Sequence, residues 1–525
     1  MIYLVGAGPG DLGLLTLRGY EVLRRADVVI YDRLVGEGIL ALIPANAERI
    51  DAGKSSGSHT LSQREIEAVM IERARENKNV VRLKGGDPFL FGRGGEEAEA
   101  IINAGLKFEV VPGVSSALAV PSYSGIPVTH RDYCSGINVF TAHDKNNLIP
   151  DFTNTTSIFL MGISHAKELQ YKLMLTLQPE TECAIIENGT TSSQRTIRTK
   201  LCELHDAVVK NNINPPAVII VGKTASLNLD WRNNLPLHDK RIIITRPEER
   251  ASKLAGMLRD LGAEVILLPT IKTSIIHDAL DNANISGYDW LGFTSVTGVN
   301  AFFELLSENN RDIREIGNAK IAAIGQATKD ALKSHGLKVD YMPEIFDGKH
   351  LAEGLAKLCL QNAGHSDNDG TPEIYDGQHD AEGLVKICTG NFIHDETQRS
   401  FENRDTDEND GKKSSASTVK ILMLRAENGT PEINNTFRNY GIIVSEICIY
   451  RTDYVKLVHV PKFADKIIFT SSSTVKGFCA SVNDMREVEC VCIGVQTAKE
   501  AESQGFHNIR IAEQATIESV VAACT

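Results

Sequence analysis

The residues between 82 and 97 combine glycine, proline and charge in one short run, and this combination indicates a ligand site. Its first glycines, Gly85 and Gly86, follow the strand-like stretch Val80–Leu83. Glycines there let backbone N–H and C=O groups approach a ligand closely, and ligands of open α/β sheets bind at the carboxyl edge of the strands. An ordinary glycine-rich turn does not require the charged residues that surround this one. These are Lys84, Asp87, Arg93 and Glu96.

Asp32 and Lys54 have the chemistry of an acid–base pair. Asp32 closes the apolar run Val28–Tyr31, so its carboxylate lies at the carboxyl edge of a strand and could serve as a base. A helix N-cap or a turn aspartate explains that position equally well. Lys54 lies on a loop of small residues that could bring an ammonium group to a substrate. A solvated loop lysine is the simpler interpretation of Lys54 by itself.

A glycine turn near the amino terminus, GAGPGD at residues 6–11, partly matches the dinucleotide-binding fingerprint. That fingerprint requires glycine three residues after its second glycine. This chain has Asp11 there, and Pro9 lacks the backbone donor that would face a pyrophosphate. A dinucleotide-dependent oxidoreductase therefore stays a rival interpretation, and NAD binding would support it.

The second half of the chain carries four hydroxyl-rich turns after strand-like runs. Two contain Thr294-Ser295 and Thr470-Ser471, and two read IGQAT and IGVQT and end at Thr328 and Thr497. Helix N-termini with serine or threonine bind anions such as carboxylates. Simple N-capping explains any one turn, but a matched set indicates two similar lobes around a shared cleft. This half shows no nucleophile–base pair, metal cluster or P-loop, and we expect no metal.

The elements that position these residues alternate between strand-like runs and amphipathic helices, which predicts an α/β fold with mainly parallel sheets. Residues 224–238 are polar and predict a linker. The segment 361–417 holds 13 acidic and 5 basic residues, and its part 395–417 is predicted to be disordered. Around its start, residues 342–359 and 371–388 match at 12 of 18 positions. We interpret this as a local duplication whose first copy packs better into a core.

The composition excludes several classes of protein. At 525 residues the chain requires three or four domains. Its net charge of −13 argues against a nucleic-acid surface, and no apolar run is long enough to span a membrane. The amino terminus lacks the basic region of a signal peptide. Its ten cysteines form no CxxC pair, which fits reduced thiols in a cytoplasmic protein.

With VGAGPGD at residues 5–11 and GIPVTHR at 125–131, the run at 82–97 resembles the uroporphyrinogen-III C-methyltransferases of the tetrapyrrole methylase family. The resemblance covers residues 1–235, with subdomains of about 1–112 and 113–235. It implies S-adenosylmethionine as the cofactor, two methylations of uroporphyrinogen III to precorrin-2, and a homodimer formed through this half.

The same resemblance implies roles for individual residues. Asp32 and Lys54 match the proton acceptor and donor. Arg93, His130 and Arg131 are candidates to bind the substrate's carboxylates, since arginine binds carboxylates in bidentate fashion. Where the family has Thr-Ala, this chain has Ser115-Ser116, so the hydroxyl at the first of the two positions is kept. The implied cofactor contacts are Pro9, Gly85, Gly86, Asp87, Leu90, Ser115, Ser116, Met161 and Gly189.

Residues 239–525 resemble the uroporphyrinogen-III synthases, through the four turns and the runs Thr245–Pro247, Leu424–Ala426 and Tyr450–Thr452. The resemblance implies one lobe of 239–271 plus 452–525, and another of 272–451. It also implies cyclisation of hydroxymethylbilane without a cofactor, with binding mostly by main chain. Tyr450 matches a tyrosine that assists loss of the substrate hydroxyl. The implied substrate-binding residues are Thr294, Ser295, Thr328, Thr470, Ser471 and Thr497.

The sequence thus predicts a bifunctional cytoplasmic enzyme of the sirohaem and cobalamin branch, a methyltransferase joined to a lyase. Its partners are expected to be small molecules, hydroxymethylbilane and uroporphyrinogen III, and neither nucleic acid nor membrane. An alternative is a methylase of a later corrin intermediate with a non-catalytic, tetrapyrrole-binding second half.

Overall fold

The computed structural model describes residues 1–53, 61–141, 154–362, 419–427, 429, 431–442 and 444–525. Lys54, the second copy of the duplication and the acidic stretch 363–418 lie outside these residues. Four five-stranded sheets with flanking helices confirm the predicted α/β class. The chain divides into two compact units, Met1–Ile271 with Tyr454–Thr525, and Lys272–Asp453. Among the described helices, none is both long and apolar enough to cross a membrane.

The first sheet is wholly parallel, with the strand order β3-β2-β4-β1-β5. Its central strands are buried along nearly their whole length, as expected when helices cover both faces of a parallel sheet. In chain order the elements are β1 (Ile2–Gly6), α1 (Leu17–Arg24), β2 (Val28–Tyr31), α2 (Glu37–Leu40), β3 (Glu48–Asp51), α3 (Gln63–Arg75), β4 (Val80–Lys84), α4 (Gly94–Asn103) and β5 (Phe108–Val111).

The second sheet departs from the prediction of mainly parallel pairing. In the order β6-β7-β10-β8-β9, only β6 and β7 are parallel, and the other three pairs are antiparallel. Strands β8 and β9 are consecutive, and antiparallel strands can be joined by a short turn without a crossover helix. The elements are α5 (Ser116–Tyr123), β6 (Gly136–Thr141), β7 (Thr155–Leu160), α6 (Ala166–Met174), β8 (Glu182–Glu187), β9 (Arg195–Lys200), α7 (Leu204–Lys210) and β10 (Ala217–Val221).

The remaining elements build one sheet in each unit. They are β11 (Arg241–Ile244), α8 (Glu248–Asp260), β12 (Glu264–Leu267), β13 (Ile271–Ile275), β14 (Trp290–Phe293), α9 (Val296–Glu308), β15 (Lys320–Ala323), α10 (Gln326–Ser334), α11 (Gly348–Asn362), β16 (Ile421–Ala426), α12 (Glu432–Asn439), β17 (Val444–Tyr454), β18 (Lys466–Phe469), α13 (Ser472–Cys479), β19 (Glu489–Cys492), α14 (Val495–Ser503), β20 (Ile509–Ile511) and α15 (Ile517–Cys524).

These two sheets have the same internal plan. The third sheet has the order β12-β11-β18-β19-β20, and the fourth has β13-β17-β16-β14-β15. In the third sheet, the unit β11-α8-β12 pairs through β11 with β18 of the unit β18-α13-β19. In the fourth sheet, the unit β16-α12-β17 pairs through β16 with β14 of the unit β14-α9-β15. In the fourth sheet an isolated bridge from Ala322 to Tyr341 lies at the position that β20 occupies in the third sheet.

The first copy of the duplicated segment forms much of α11. Its Leu351 and Leu355 are fully buried and pack in a cluster with Met423 and Phe437. This burial agrees with the prediction that the first copy packs into a core. That the first copy packs better than the second stays a prediction, because the second copy lies outside the described residues.

Candidate active sites

Three glycines join the carboxyl ends of neighbouring strands in the first sheet. A Cβ on Gly113, after β5, would lie 2.2 Å from the carbonyl oxygen of Gly86 and 2.7 Å from the Cα of Gly6. The turns that follow β1 and β4 also exchange two backbone hydrogen bonds between Gly8 and Gly86, of 3.2 and 2.8 Å. Backbone therefore packs directly on backbone at this edge, and side chains are excluded from the contact.

Asp87 fixes this junction with its side chain. One carboxylate oxygen accepts a hydrogen bond from the backbone N–H of Gly113 at 3.0 Å, and the other accepts one from Phe89 at 2.8 Å. Gly86 has a φ of +69°, which favours glycine. Gly85 is equally constrained, because a Cβ there would lie 2.9 Å from the Cβ of Leu34. The glycines at 85 and 86 are thus dictated by packing and backbone geometry.

The turn between β8 and β9 lies against the first glycine turn. The hydroxyl of Thr190 accepts a hydrogen bond from the backbone N–H of Asp11 at 3.3 Å and would lie 3.1 Å from a Cβ on Gly10. Gly189 allows this turn to approach α5, since a Cβ would lie 2.4 Å from a methyl group of Val120. The neighbouring residues Asn188 and Thr190 have φ values of +49° and +70°.

Most of the predicted cofactor contacts therefore come together at one edge. Pro9 lies between two glycines that touch these turns, and Ser115, the N-cap of α5, lies with Ser116 beside Gly86. The side chains of Leu90 and Met161 are partly exposed.

A buried charge network lies beside this edge and was not identified from the sequence. The carboxylate of Glu97 is fully buried and accepts from Arg82 at 3.0 Å and from Lys84 at 2.8 Å. Arg82 also pairs with Asp32, the predicted proton acceptor. Burial, and then the charge of Arg82, lowers the pKa of Lys84. The sequence signal that could have revealed this network is the pair Arg82 and Lys84, two cations at alternate positions of one strand, because alternate side chains of a strand share one face.

The predicted substrate-binding cations of this half are placed on different elements. Arg93 is the residue before α4, has a φ of +59°, and forms an exposed ion pair with Glu96. His130 accepts a hydrogen bond at Nδ1 from the backbone of Asp132 at 3.2 Å, and Arg131 beside it is exposed. The described structure shows no hydrogen bond between Arg93 and either of these two residues. The placement of Lys54 lies outside the described residues.

The four hydroxyl-rich turns of the second half share one backbone geometry. Their N-cap residues are Ser295, Gly325, Ser471 and Gly494, and all have extended backbones with φ between −165° and −174°. The serine hydroxyls accept from the backbone N–H three residues later, at 2.9 Å for Ser295 and 3.3 Å for Ser471. These contacts are N-caps, so the turns expose helix N-termini whether or not they bind an anion.

The threonines of these turns divide into two kinds. Thr294 and Thr470 lie before the N-cap serines and are partly exposed. Thr328 and Thr497 lie in the first turn of α10 and α14 and are 3% and 5% exposed, respectively. A substrate group would therefore reach Thr294 and Thr470 more easily than the two buried threonines.

Tyr450 lies in β17 and is 9% exposed. Its hydroxyl is hydrogen-bonded to the Oγ of Ser295 at 2.9 Å, which connects the predicted catalytic tyrosine to a predicted binding turn within one sheet. Ser295 in turn caps α9, so the tyrosine hydroxyl is held near a helix N-terminus.

Comparison with known proteins places two family models on the chain. Residues 1–205 match the tetrapyrrole (corrin/porphyrin) methylases, and residues 252–375 and 409–522 match uroporphyrinogen-III synthase HemD. The chain is 37% identical to porphyrin biosynthesis protein HemD of Ruminiclostridium josui, over 99% of this chain and 96% of that protein. It is 36% identical to uroporphyrinogen-III C-methyltransferase of Bacillus subtilis (strain 168), over 68% of this chain and 77% of that protein.

A solved structure shows a further similarity. Uroporphyrin-III C-methyltransferase of Thermus thermophilus, complexed with S-adenosyl homocysteine, is 39% identical over 42% of this chain and 97% of that one, with a TM-score of 0.37.

Proposed function

Because the chain belongs to the family of porphyrin biosynthesis proteins in which a tetrapyrrole methylase is fused to a uroporphyrinogen-III synthase, we propose that it performs both reactions. The synthase half converts hydroxymethylbilane to uroporphyrinogen III, and the methylase half adds two methyl groups to give precorrin-2. The observation that carries this proposal is the match to both family models within one chain. The first activity makes the substrate of the second.

S-adenosylmethionine is the cofactor of the methylase half, and it supplies a methyl group that its sulfonium already activates. The turns at the first sheet's edge fit such a group, because glycines leave backbone N–H and C=O groups accessible there. The Gly85-Gly86 turn, the start of α5 and the turn at Gly189 would hold it. Alignment for in-line transfer is then the main contribution of the protein.

Asp32 has the position required of a base in this half. Methyl transfer leaves the substrate with one extra positive charge, so a proton must leave another position of the macrocycle, and a carboxylate at the strand edge can take it. Arg82 orients the Asp32 carboxylate, and Glu97 holds Arg82 from the other side. Arg93, His130 and Arg131 supply cations for the substrate's carboxylates, with Arg93 exchanging its partner Glu96 for a substrate carboxylate.

In the synthase half, Tyr450 donates a hydrogen bond to the departing hydroxyl of hydroxymethylbilane. Its bond to Ser295 orients the phenol for this role. Helix N-termini at the four hydroxyl-rich turns bind the substrate's carboxylates through backbone N–H groups. This mode of binding agrees with the absence of a nucleophile–base pair from the sequence of this half.

We further propose a cytoplasmic homodimer that assembles through the methylase half and acts in sirohaem or cobalamin biosynthesis. The cysteines among the described residues are free thiols, which agrees with a reducing compartment. Its small-molecule partners are hydroxymethylbilane and uroporphyrinogen III.

One anaerobic incubation with hydroxymethylbilane tests both activities when it is run with and without S-adenosylmethionine. Uroporphyrinogen III without the cofactor, and precorrin-2 with it, are the expected products. Formation of isomer I alone would refute the synthase activity, and isomer III supplied directly would still test methylation. Methylation of a later corrin intermediate but not of isomer III would support the alternative function.

A further inference from the structure

Glu264 connects the two halves of the chain within one compact unit. It is the first residue of β12 in the third sheet, and its side chain is only 11% exposed. One carboxylate oxygen pairs with Arg241 at 2.9 Å. The other accepts two hydrogen bonds from Ser192, from the backbone N–H at 2.8 Å and from the hydroxyl at 2.7 Å. A nearly buried carboxylate of the synthase half is therefore held by the methylase half.

Ser192 belongs to the turn between β8 and β9 that carries Gly189. Two residues of this turn, Asn188 and Thr190, have positive φ values. Such backbone conformations cost free energy and persist only when surrounding contacts enforce them. The side chain of Gln194 accepts from the N–H of Thr190 at 2.8 Å within the turn. Glu264 adds a contact from outside the turn, at Ser192, to the one that Thr190 makes with Asp11.

The synthase half also acts electrostatically on the first glycine turn. Arg259 of α8 is half-buried, and burial lowers its pKa while the negative charge of Asp11 acts in the opposite direction. Asp11 also accepts a hydrogen bond from the hydroxyl of Tyr123 at 3.0 Å. The side chain of Asp11 is thus hydrogen-bonded within the methylase half, and it interacts electrostatically with Arg259 of the synthase half.

A second contact lies at α2. Its first residue, Glu37, pairs with His459 of the synthase half. The preceding Gly36 lies so close to the glycine turn that a Cβ would come within 2.3 Å of the carbonyl oxygen of Gly10. Two segments near the predicted cofactor site, the turn between β8 and β9 and α2, therefore contact the synthase half through Glu264 and His459.

We propose that Glu264 is a positioning residue for the cofactor-binding turns of the methylase half. This inference rests on the proposed function, because S-adenosylmethionine is the ligand that those turns would hold. By linkage, binding of the cofactor must also stabilise the contact with Glu264, since coupling between two sites is reciprocal. The synthase half then contributes to methylation through structure, in addition to supplying its substrate.

The test uses the full chain and the variant Glu264→Gln. Glutamine keeps the size and can still accept from Arg241, but its amide N–H₂ group would then face the donors of Ser192. We expect the dissociation constant of S-adenosylhomocysteine, measured by calorimetry, to rise about tenfold, which corresponds to about 1.4 kcal/mol. The Michaelis constant for S-adenosylmethionine should rise with it, while the rate of uroporphyrinogen III formation stays unchanged.

The matched control is Glu518→Gln, which removes an ion pair of Glu518 with Lys253 elsewhere in the synthase half, with both side chains more than half exposed. It should leave the dissociation constant unchanged. Equal affinity in Glu264→Gln and the wild type would overturn the proposal, even if the variant were less stable, because Glu264 would then only support the fold.

Hydrogen exchange gives a readout that is independent of catalysis. In the wild type, S-adenosylhomocysteine should slow amide exchange in β11 and β12 as well as in residues 188–194, and Glu264→Gln should abolish the effect in the two strands. Protection confined to residues 1–235 of the wild type would contradict the coupling. A wild type that does not bind S-adenosylhomocysteine at all would instead refute the proposed methyltransferase function, and the coupling with it.

Discussion

Gly113→Ala introduces one methyl group at the junction of three strand ends. The new Cβ would lie 2.2 Å from the carbonyl oxygen of Gly86 and 2.7 Å from the Cα of Gly6. Both neighbours are backbone atoms, one at the end of β1 and one in the turn after β4, so neither can move aside by rotating a side chain. The turn after β5 must shift as a whole, and its hydrogen bond to the Asp87 carboxylate must lengthen or break.

The cost follows from the kind of contact. Overpacking a core costs about 1–3 kcal/mol, and we place this variant near the upper value because the clash is with backbone. Replacing glycine by alanine also restricts the unfolded chain, which returns about 0.4–1 kcal/mol. The net destabilisation is therefore about 2 kcal/mol. If the turn must return to its native position to bind the cofactor, this corresponds to a roughly thirtyfold weaker affinity.

The assay is calorimetric titration of the full chain with S-adenosylhomocysteine, combined with urea unfolding. Gly95→Ala is the matched control, because a Cβ at Gly95, in the first turn of α4, would have no atom within 4 Å apart from its chain neighbours and its own helix backbone. That variant should bind normally and gain up to about 1 kcal/mol from helix propensity. Wild-type affinity and stability in Gly113→Ala would refute the inference that this junction is closely packed and supports the cofactor site.

Three further predictions concern charge and hydroxyl groups. Glu97→Gln should lower the free energy of unfolding by about 3–5 kcal/mol, because it leaves buried cations without their carboxylate. The exposed control Glu96→Gln should lower it by less than about 1 kcal/mol. Equal urea unfolding midpoints for the two variants would contradict this prediction. Burial acts to raise the pKa of Glu37, but the hydrogen bond with His459 and the positive charges of His459, Arg241 and Lys462 together lower the pKa below the ordinary 4.5. The stability that Glu37 contributes is therefore present above pH 4.5 and lost as the pH falls through the lowered pKa. The unfolding midpoints of the wild type and Glu37→Gln should converge on acidification, and a constant difference would count against the pair. Tyr450→Phe should slow formation of uroporphyrinogen III about fivefold, as expected for loss of one hydrogen bond of about 1 kcal/mol; an unchanged rate in an isomer-resolved assay would exclude a role for the hydroxyl.

Some elements could be predicted because their residues carry a strong local pattern. Strand β2 begins and ends at the predicted residues, and β4 begins at the predicted Val80 and extends one residue further, since short apolar runs between polar turns have few alternatives. Strand β9 was missed because its sequence, RTIRTK, is mostly polar and pairs at the edge of an antiparallel sheet. Strand β3, at the edge of the first sheet, was missed because three of the four residues in its sequence ERID are charged.

The segment 224–238 shows where composition misleads. Its polar residues predicted a linker, yet Arg232 is 7% exposed and lies over the ring of Tyr123 at 4.9 Å. Trp231 contacts the same ring edge-on, with centroids 5.5 Å apart. A cation and an aromatic ring can pack tightly on another aromatic ring without looking like a hydrophobic core in the sequence.

The sequence by itself determined the fold class and the glycine-rich edge, because spacing and turn chemistry are local properties of the chain. It also carried both family resemblances, which the comparisons confirm. Only the tertiary structure decided that Glu97 neutralises Arg82 and Lys84, and that Glu264 bonds to Ser192, 72 residues away in the chain. Such pairs depend on which strand ends and turns become neighbours, and no local periodicity encodes the partner of a buried charge.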